Sequence, residues 1–417
     1  MKEKLIESGK NILIILLICT LVLLSVLAIP TSSISAVPWL SGLLQPVAPL
    51  LGLSEAELTY VAQADPLSDA AQPTVISIQT SAGRCTVMWD FAALDEAFAV
   101  FSPMMGQAIH AAGNFMQVSE QQVYAALTAP SVMFRYKSAL PASLLAVWMD
   151  SRLDAAITDV DTCILSVEGE TLSLYLLGST RYCAQTSLPA TLLLPILENY
   201  ESDGSRFAFE QQDALAPLSI LPGSTVSVPA YSYQTPSDSR SINALATLLG
   251  FNPYAETRYT DDQGTECFNE PGSSLQITTG AHVLFRAETN RFTAPGTELA
   301  ELVETARQLT SRMLEVSGGR GRLYLSAVTR TGDITVCEFD YAVNGIPVKL
   351  SKAAGHVIFA DTSVKEVSIR LYSFTATGKQ LYPLPVAQAI AVLPAGSPLE
   401  LVYHPTADSM LDAGWSS

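Results

Sequence analysis

The stretch LAELVETARQLTSRMLEVSGGRGRLYLSAVTRTGDITVCEFDY, residues 299–341, changes its hydrophobic period halfway along. Leu299, Leu302, Val303, Ala306, Leu309 and Met313 recur at three- and four-residue steps, the stripe of an amphipathic helix. Glu298 and Glu301 occupy the first turn, where the helix dipole favours acids. Thr297 is the expected cap and Gly318-Gly319 the expected stop. From Leu323 the step becomes two: LYLSAVTR and DITVCEFDY alternate around Thr331-Gly332, which predicts a hairpin. GHVIFA and VKEVSIRLYSF, around Asp361-Thr362, predict another. A helix followed by sequential antiparallel strands is an α+β pattern, the helix covering one face of the sheet.

The same grammar extends towards the N-terminus. VISIQ and CTVMW alternate around Gly83, and helical patterns follow at Leu94 to Ala111 and, behind Ser119, at Glu120 to Leu127. The strand SVMFRY, the helix LPASLLAVWMDSRL and the strands TCILSVE and TLSLYLL complete a first unit. A second contains the strand VSVPAYSY, the helix INALATLLG ending at Gly250, and two strand pairs turning at Asp261 to Gly264 and at Thr279-Gly280.

At the other extreme, ILIILLICTLVLLSVLAI, residues 12–29, carries no charge. A helix needs about 17 to 25 such residues to cross a bilayer. Lys2, Lys4 and Lys10 precede the run, and cationic flanks stay on the cytoplasmic side, so the remainder is expected outside. The competing reading, a signal peptide cleaved near Ser33-Ile34-Ser35-Ala36, suits the length of the run less well. The expected organisation is a cytoplasmic tail (1–11), a transmembrane helix (12–29), a Pro/Ser-rich stalk (30–72), α+β domains at 73–190, 191–293 and 294–400, and a tail (401–417). The expected fold class is therefore α+β: an N-terminal transmembrane helix followed by two or three extracytoplasmic domains of antiparallel sheet with covering helices. A single-pass protein of the cell membrane follows from it.

The chain has 417 residues, 23 basic and 40 acidic, for a net charge of −17. Without the three lysines and two glutamates of the 1–11 tail, 20 basic and 38 acidic side chains remain, a net charge of −18. Nucleic acid is excluded as an expected partner, since phosphate binding needs a basic surface. Cys85, Cys163, Cys183, Cys267 and Cys337 follow the apolar run without CxxC spacing, so free thiols are expected. Cys163 and Cys183, on strands predicted to be adjacent, are the one pair open to bridging.

No chemistry-bearing motif emerges. GGRGR, residues 318–322, closes a helix and opens a strand, the reverse of a phosphate loop. His110, His282, His356 and His404 lack carboxylate or thiol partners at ligand spacing. Asp150 and Asp154, with Arg152 between them, form a compact carboxylate pair that reads as a solvated helix face. No catalytic residue, metal site or cofactor is expected, and the chain reads as a non-enzyme.

Four segments carry a family likeness: FSPMMGQAIHAAGNFMQVSEQQVYAALTAPSVMFRYKSALPASLLAVW, YTDDQGTECFNEPGSSLQITTGAHVLFRAE, CEFDYAVNGIPVKL and QLYPLPVAQAI. Together with the N-terminal anchor they resemble the YycH/YycI regulatory proteins, over most of Phe101 to Ile390. FDYAVNGIPV, with its Asn344-Gly345 turn, is the most specific piece. The resemblance implies a membrane partner, the WalK (YycG) sensor histidine kinase of low-GC Gram-positive bacteria, and a possible paralogous regulator. It implies a two-component system controlling cell-wall homeostasis, with signalling through packed transmembrane helices, and it supplies no catalytic residues. Helix packing in lipid uses small and polar side chains, which makes Cys19, Thr20 and Ser25 the candidate partner-facing residues, although they share no stripe. The alternative is a surface-anchored envelope-binding or structural module without a kinase partner.

Overall fold

Two antiparallel sheets, of seven and nine strands, are joined through one continuous hydrophobic core. The computed structural model describes residues 72–153, 157–211, 214–236, 238–317 and 321–416. The expected cytoplasmic tail and membrane span, and the stalk up to residue 71, lie outside the described residues. Pro66–Ser417 is a single compact unit.

In chain order the first half contains β1 (Val75–Thr80), β2 (Gly83–Met88), α1 (Phe91–Ala111), β3 (Met116–Gln117), α2 (Glu120–Thr128), β4 (Ser131–Pro141), α3 (Ala142–Trp148), β5 (Asp159–Glu168), β6 (Thr171–Leu177) and β7 (Arg181–Pro189). They form a sheet in the order β2-β1-β4-β5-β6-β7-β3. The alternation of VISIQT and GRCTVM closes as expected, with Thr80 opposite Gly83. Asp90 caps α1 by accepting from the amides of Ala92 and Ala93, and Ser119 caps α2 in a capping box with Gln122. Leu94, Phe98, Phe101 and Met105 of α1 bury themselves on one face of the sheet beside Ile76, Phe134 and Leu174. Val123 and Leu127 of α2 cover the other face with Met133, Ile164 and Tyr175. The sheet is thus buried on both sides, which explains why TLSLYLL is apolar almost throughout.

A linking region follows: α4 (Leu194–Leu197), β8 (Arg206–Phe207), α5 (Ala208–Gln211), β9 (Ile220–Leu221), β10 (Val228–Gln234) and α6 (Ser239–Leu248). Next come β11 (Arg258–Thr260), β12 (Glu266–Glu270), β13 (Ser273–Ile277), β14 (His282–Ala287), α7 (Leu299–Val316), β15 (Arg322–Thr331), β16 (Ile334–Val343), β17 (Ile346–Pro347), β18 (Gly355–Ala360), β19 (Ser363–Arg370) and β20 (Ser373–Leu381). Finally α8 (Val386–Val392) leads to the hairpin of β21 (Glu400–Pro405) and β22 (Leu411–Ser416). The larger sheet runs β11-β12-β13-β14-β19-β18-β16-β15, with β17 also paired to β16. The predicted stripe of α7 is the buried one: Leu302, Val303, Ala306, Leu309 and Met313 all enter the core. They share it with Phe285, Phe339, Phe359 and Val367 on one face of the sheet, and α7 also touches α3, tying the two halves together.

Several details depart from the sequence reading. The N-cap of α7 is Glu298, one residue after Thr297, and its amide donates to Glu301 Oε2 at 3.3 Å. The helix expected over 140–153 is shortened to Ala142–Trp148, because β4 runs on to Pro141 and Asp150 takes a left-handed φ of 53° that ends the turn. Asp150 therefore lies beyond the end of the helix, and Asp154, its expected partner on a helix face, lies outside the described residues. The boundary expected between 293 and 294 falls inside the nine-stranded sheet, where β14 pairs with β19 through Val283 opposite Ile369. Likewise β10 pairs with β20 across that boundary. Residues 401–416, expected as a tail, form the final hairpin, whose Tyr403 is fully buried.

Candidate functional site

The strand SVMFRYKSALP builds one wall of a cleft among the described residues. Alternation sends Val132, Phe134 and Tyr136 into the principal core, while Met133, Arg135 and Lys137 face the opposite side. There the Arg135 guanidinium donates to the Leu218 carbonyl, and the Lys137 ammonium pairs with Glu400 at the start of β21. Val75, Met88, Trp89, Ile220, Pro347, Leu399 and Leu401 line the remainder of a cleft of about 60 Å³. That volume is far below the roughly 300–1,000 Å³ of a drug-sized ligand site, so any occupant is small.

The rim is fixed by a hairpin turn. Asn344 and Gly345 have φ of 52° and 80°, the two positive angles a two-residue type I′ turn needs. Asn344 Nδ2 donates to the Trp89 carbonyl at 2.8 Å. A Cβ on Gly345 would lie 3.0 Å from Leu94 Cδ1 and 3.3 Å from both the Asp90 amide and Trp89 Cα. The turn therefore packs directly onto the start of α1. Trp89 itself has a φ of 63° and meets Trp415 of the last strand edge-on, with ring centroids 5.9 Å apart.

Charge at the cleft is finely balanced. Burial lowers the pKa of Arg135, and the carboxylates of Asp161 and Glu400 oppose that shift without hydrogen-bonding to it. On the neighbouring strands, burial raises Asp340, whose Oδ1 accepts from the Ala354 amide at 3.0 Å. It also raises Tyr324, with Asp340 and Glu400 adding to the effect.

A second polar group lies on the face of the nine-stranded sheet turned away from α7. His282 Nε2 and Ser368 Oγ are 2.9 Å apart, and His356 Nε2 lies 3.0 Å from Glu366 Oε1. Arg286 Nε donates to the other carboxylate oxygen at 2.8 Å. Burial, then Arg370 and His356, hold the His282 pKa below the ordinary value, which favours the neutral ring. The two ladders explain the grouping: Ser368 lies opposite both His356 on β18 and Leu284 on β14. Although Ser368 and His282 approach as a nucleophile and base would, the neighbouring amides are engaged in strand pairing, so the arrangement offers no ready oxyanion donors.

Of the residues singled out in the sequence, Cys19, Thr20 and Ser25 lie outside the described residues. His110 is exposed in the last turn of α1. Cys163 and Cys183 are on β5 and β7, with β6 between them, not on adjacent strands as expected. Cys163 faces Leu176 and Cys183 faces Tyr175, consecutive residues on opposite sides of the sheet, so the two thiols cannot meet. All five described cysteines are free thiols. Burial pushes Cys183 up to about 11 and Cys337 up to about 12, so both are protonated at neutral pH. Among the described residues no group of three or more His, Cys, Asp or Glu side chains is arranged to hold a metal ion. The cleft residues were not singled out from the sequence. Their local signal is the pair Arg135 and Lys137 at i and i+2 in an otherwise apolar strand, but the partner Glu400 is 263 residues further on.

No family model matches the chain, and no curated protein matches it. Among solved structures, the beta subunit of DNA polymerase III from Pseudomonas aeruginosa aligns at 12% identity over 75% of this chain and 96% of that one, with a TM-score of 0.11. A chain from Eubacterium rectale assigned as a DNA polymerase III beta subunit aligns at 6% identity over 81% and 97%, with a TM-score of 0.12. Similarity at this level carries no inference about fold or function.

Proposed function

We propose that this chain is a membrane-anchored extracytoplasmic regulator of a sensor histidine kinase governing cell-wall homeostasis, of the YycH/YycI kind. The observation that carries the reading is the charge-free run Ile12 to Ile29 behind a lysine-bearing tail of eleven residues. In this reading information passes laterally, through helix contacts in the bilayer and through the outer body. The resemblance at FDYAVNGIPV adds support. In the structure the Asn344-Gly345 turn of that segment packs onto the start of α1, bringing the two sheets into contact. No helix among the described residues is long and apolar enough to cross a membrane. The anchor would hold Cys19, Thr20 and Ser25 within the bilayer, where they are available to a kinase helix.

The test replaces residues 12–29 with an unrelated membrane helix and, separately, deletes the whole gene, and measures transcription driven by the kinase. A change in output on deletion, with a partial or full change on helix replacement, is expected. Output identical to wild type in both strains removes the regulatory reading.

A further inference from the structure

The geometry points to the cleft at Arg135 as a binding site for a small aliphatic carboxylate, taken by the guanidinium and the apolar walls around it. The argument begins with an incompletely satisfied cation. A guanidinium carries five N–H donors in a planar fork. Among the described residues, that of Arg135 makes one hydrogen bond, to the Leu218 carbonyl. Arg135 is half-buried, so its other donors stay accessible from the cleft. Asp161 supplies charge at a distance, and its Oδ1 is occupied with the Thr162 hydroxyl at 2.7 Å. Glu400 is engaged by Lys137. The remaining donors of Arg135 thus have charge nearby, no protein oxygen in contact, and access to solvent.

The class of ligand follows from what surrounds that fork. A carboxylate matches it in shape and can take two parallel N–H bonds. Phosphate fits less well, because Asp161 and Glu400 oppose a second negative charge and the cavity holds only about 60 Å³. The cleft that Arg135 shares with Lys137 and Glu400 is otherwise lined largely by apolar side chains, Val75, Met88, Ile220 and Leu399 among them, which suit a tail of one to a few carbons. An α-amino acid belongs to the same class, since its carboxylate would meet Arg135 while its ammonium would meet Glu400. The site goes beyond regulation through helix contacts, because it would give the outer body a chemical input of its own. It stands or falls independently of any kinase.

The experiment uses the full chain in detergent or nanodiscs, probed with sodium propionate, alanine, phosphate and methylammonium. Saturation-transfer NMR on the propionate methyl group and thermal unfolding report binding. Propionate is expected to give saturable transfer and to raise the melting temperature, whereas phosphate and methylammonium do neither. Arg135→Lys keeps the charge and loses the fork, and should weaken propionate binding about tenfold or more. Ile220→Trp, which fills the cleft and leaves Arg135 in place, should abolish it, so the conclusion does not rest on one variant folding. Tighter binding of alanine than of propionate supports the site and assigns the ammonium to Glu400. The proposal is overturned if neither carboxylate binds the wild-type chain, if phosphate binds in their place, or if binding survives both substitutions.

Discussion

At the scale of single residues, His282 shows how a ladder turns an unremarkable position into a titrating one. Its ring rests on Ser368 and is half-buried; burial, then Arg370 and His356, lower its pKa, and Glu366 opposes them. Because the folded state holds its pKa below the ordinary value of about 6.5, the unfolded chain takes up the proton first. This contribution to stability is full above that ordinary value and is lost as the pH falls from there through the lowered folded value. His282→Asn is therefore expected to flatten the pH dependence of the denaturation midpoint in that acidic window and to leave its alkaline side unchanged. An equally steep loss in the variant would assign the effect to other groups, with the His356 and Glu366 pair as the first to test.

At the scale of elements, the β16–β17 hairpin has two roles that its sequence states only in part. Asn344-Gly345 announces a type I′ turn, since both central residues need positive φ. That the turn also packs against Trp89 and Asp90 follows from the approach of the two sheets. Gly345→Ala is consequently expected to cost more than a solvent-facing turn would, about 1–3 kcal/mol, from left-handed strain together with the contact to α1. Urea unfolding measures it, and a loss within experimental scatter of zero would show that α1 yields readily at this point. The helix α7 behaves differently. Its stripe selects its buried face, because amphipathic spacing and burial coincide at five of the six predicted positions, Leu299 alone being half-buried. Its cap moved by one residue, from Thr297 to Glu298, whose amide donates to the Glu301 carboxylate.

At the scale of the molecule, the pairings of β14 with β19 and of β10 with β20 make the two expected C-terminal domains inseparable. A fragment of residues 294–400 loses the partners of both β19 and β20 and exposes two unsatisfied strand edges. It is expected to be unfolded or aggregated, whereas residues 66–417 unfold in one cooperative transition, with far-UV circular dichroism and tryptophan fluorescence coinciding. Two separated transitions, or a soluble folded fragment, would restore a domain boundary near 293.

Much of the α+β pattern was legible in the chain itself: the hairpins at Gly83, Gly332 and Asp361, the stripe of α7 and the apolar strands of the first sheet. Each depends on residues within about ten positions of one another, where backbone sterics, capping and hydrophobic period act locally. The expectation of a membrane span at 12–29, outside the described residues, rests on the same local kind of signal, length and charge over one contiguous segment. The sharing of one sheet by residues 258–287 and 322–370, the separation of Cys163 from Cys183, and the meeting of Arg135, Lys137 and Glu400 were decided by the tertiary structure. Strand order and side-chain convergence are set by which distant surfaces bury the most apolar area together, a choice made by the whole core and written in no single stretch of it.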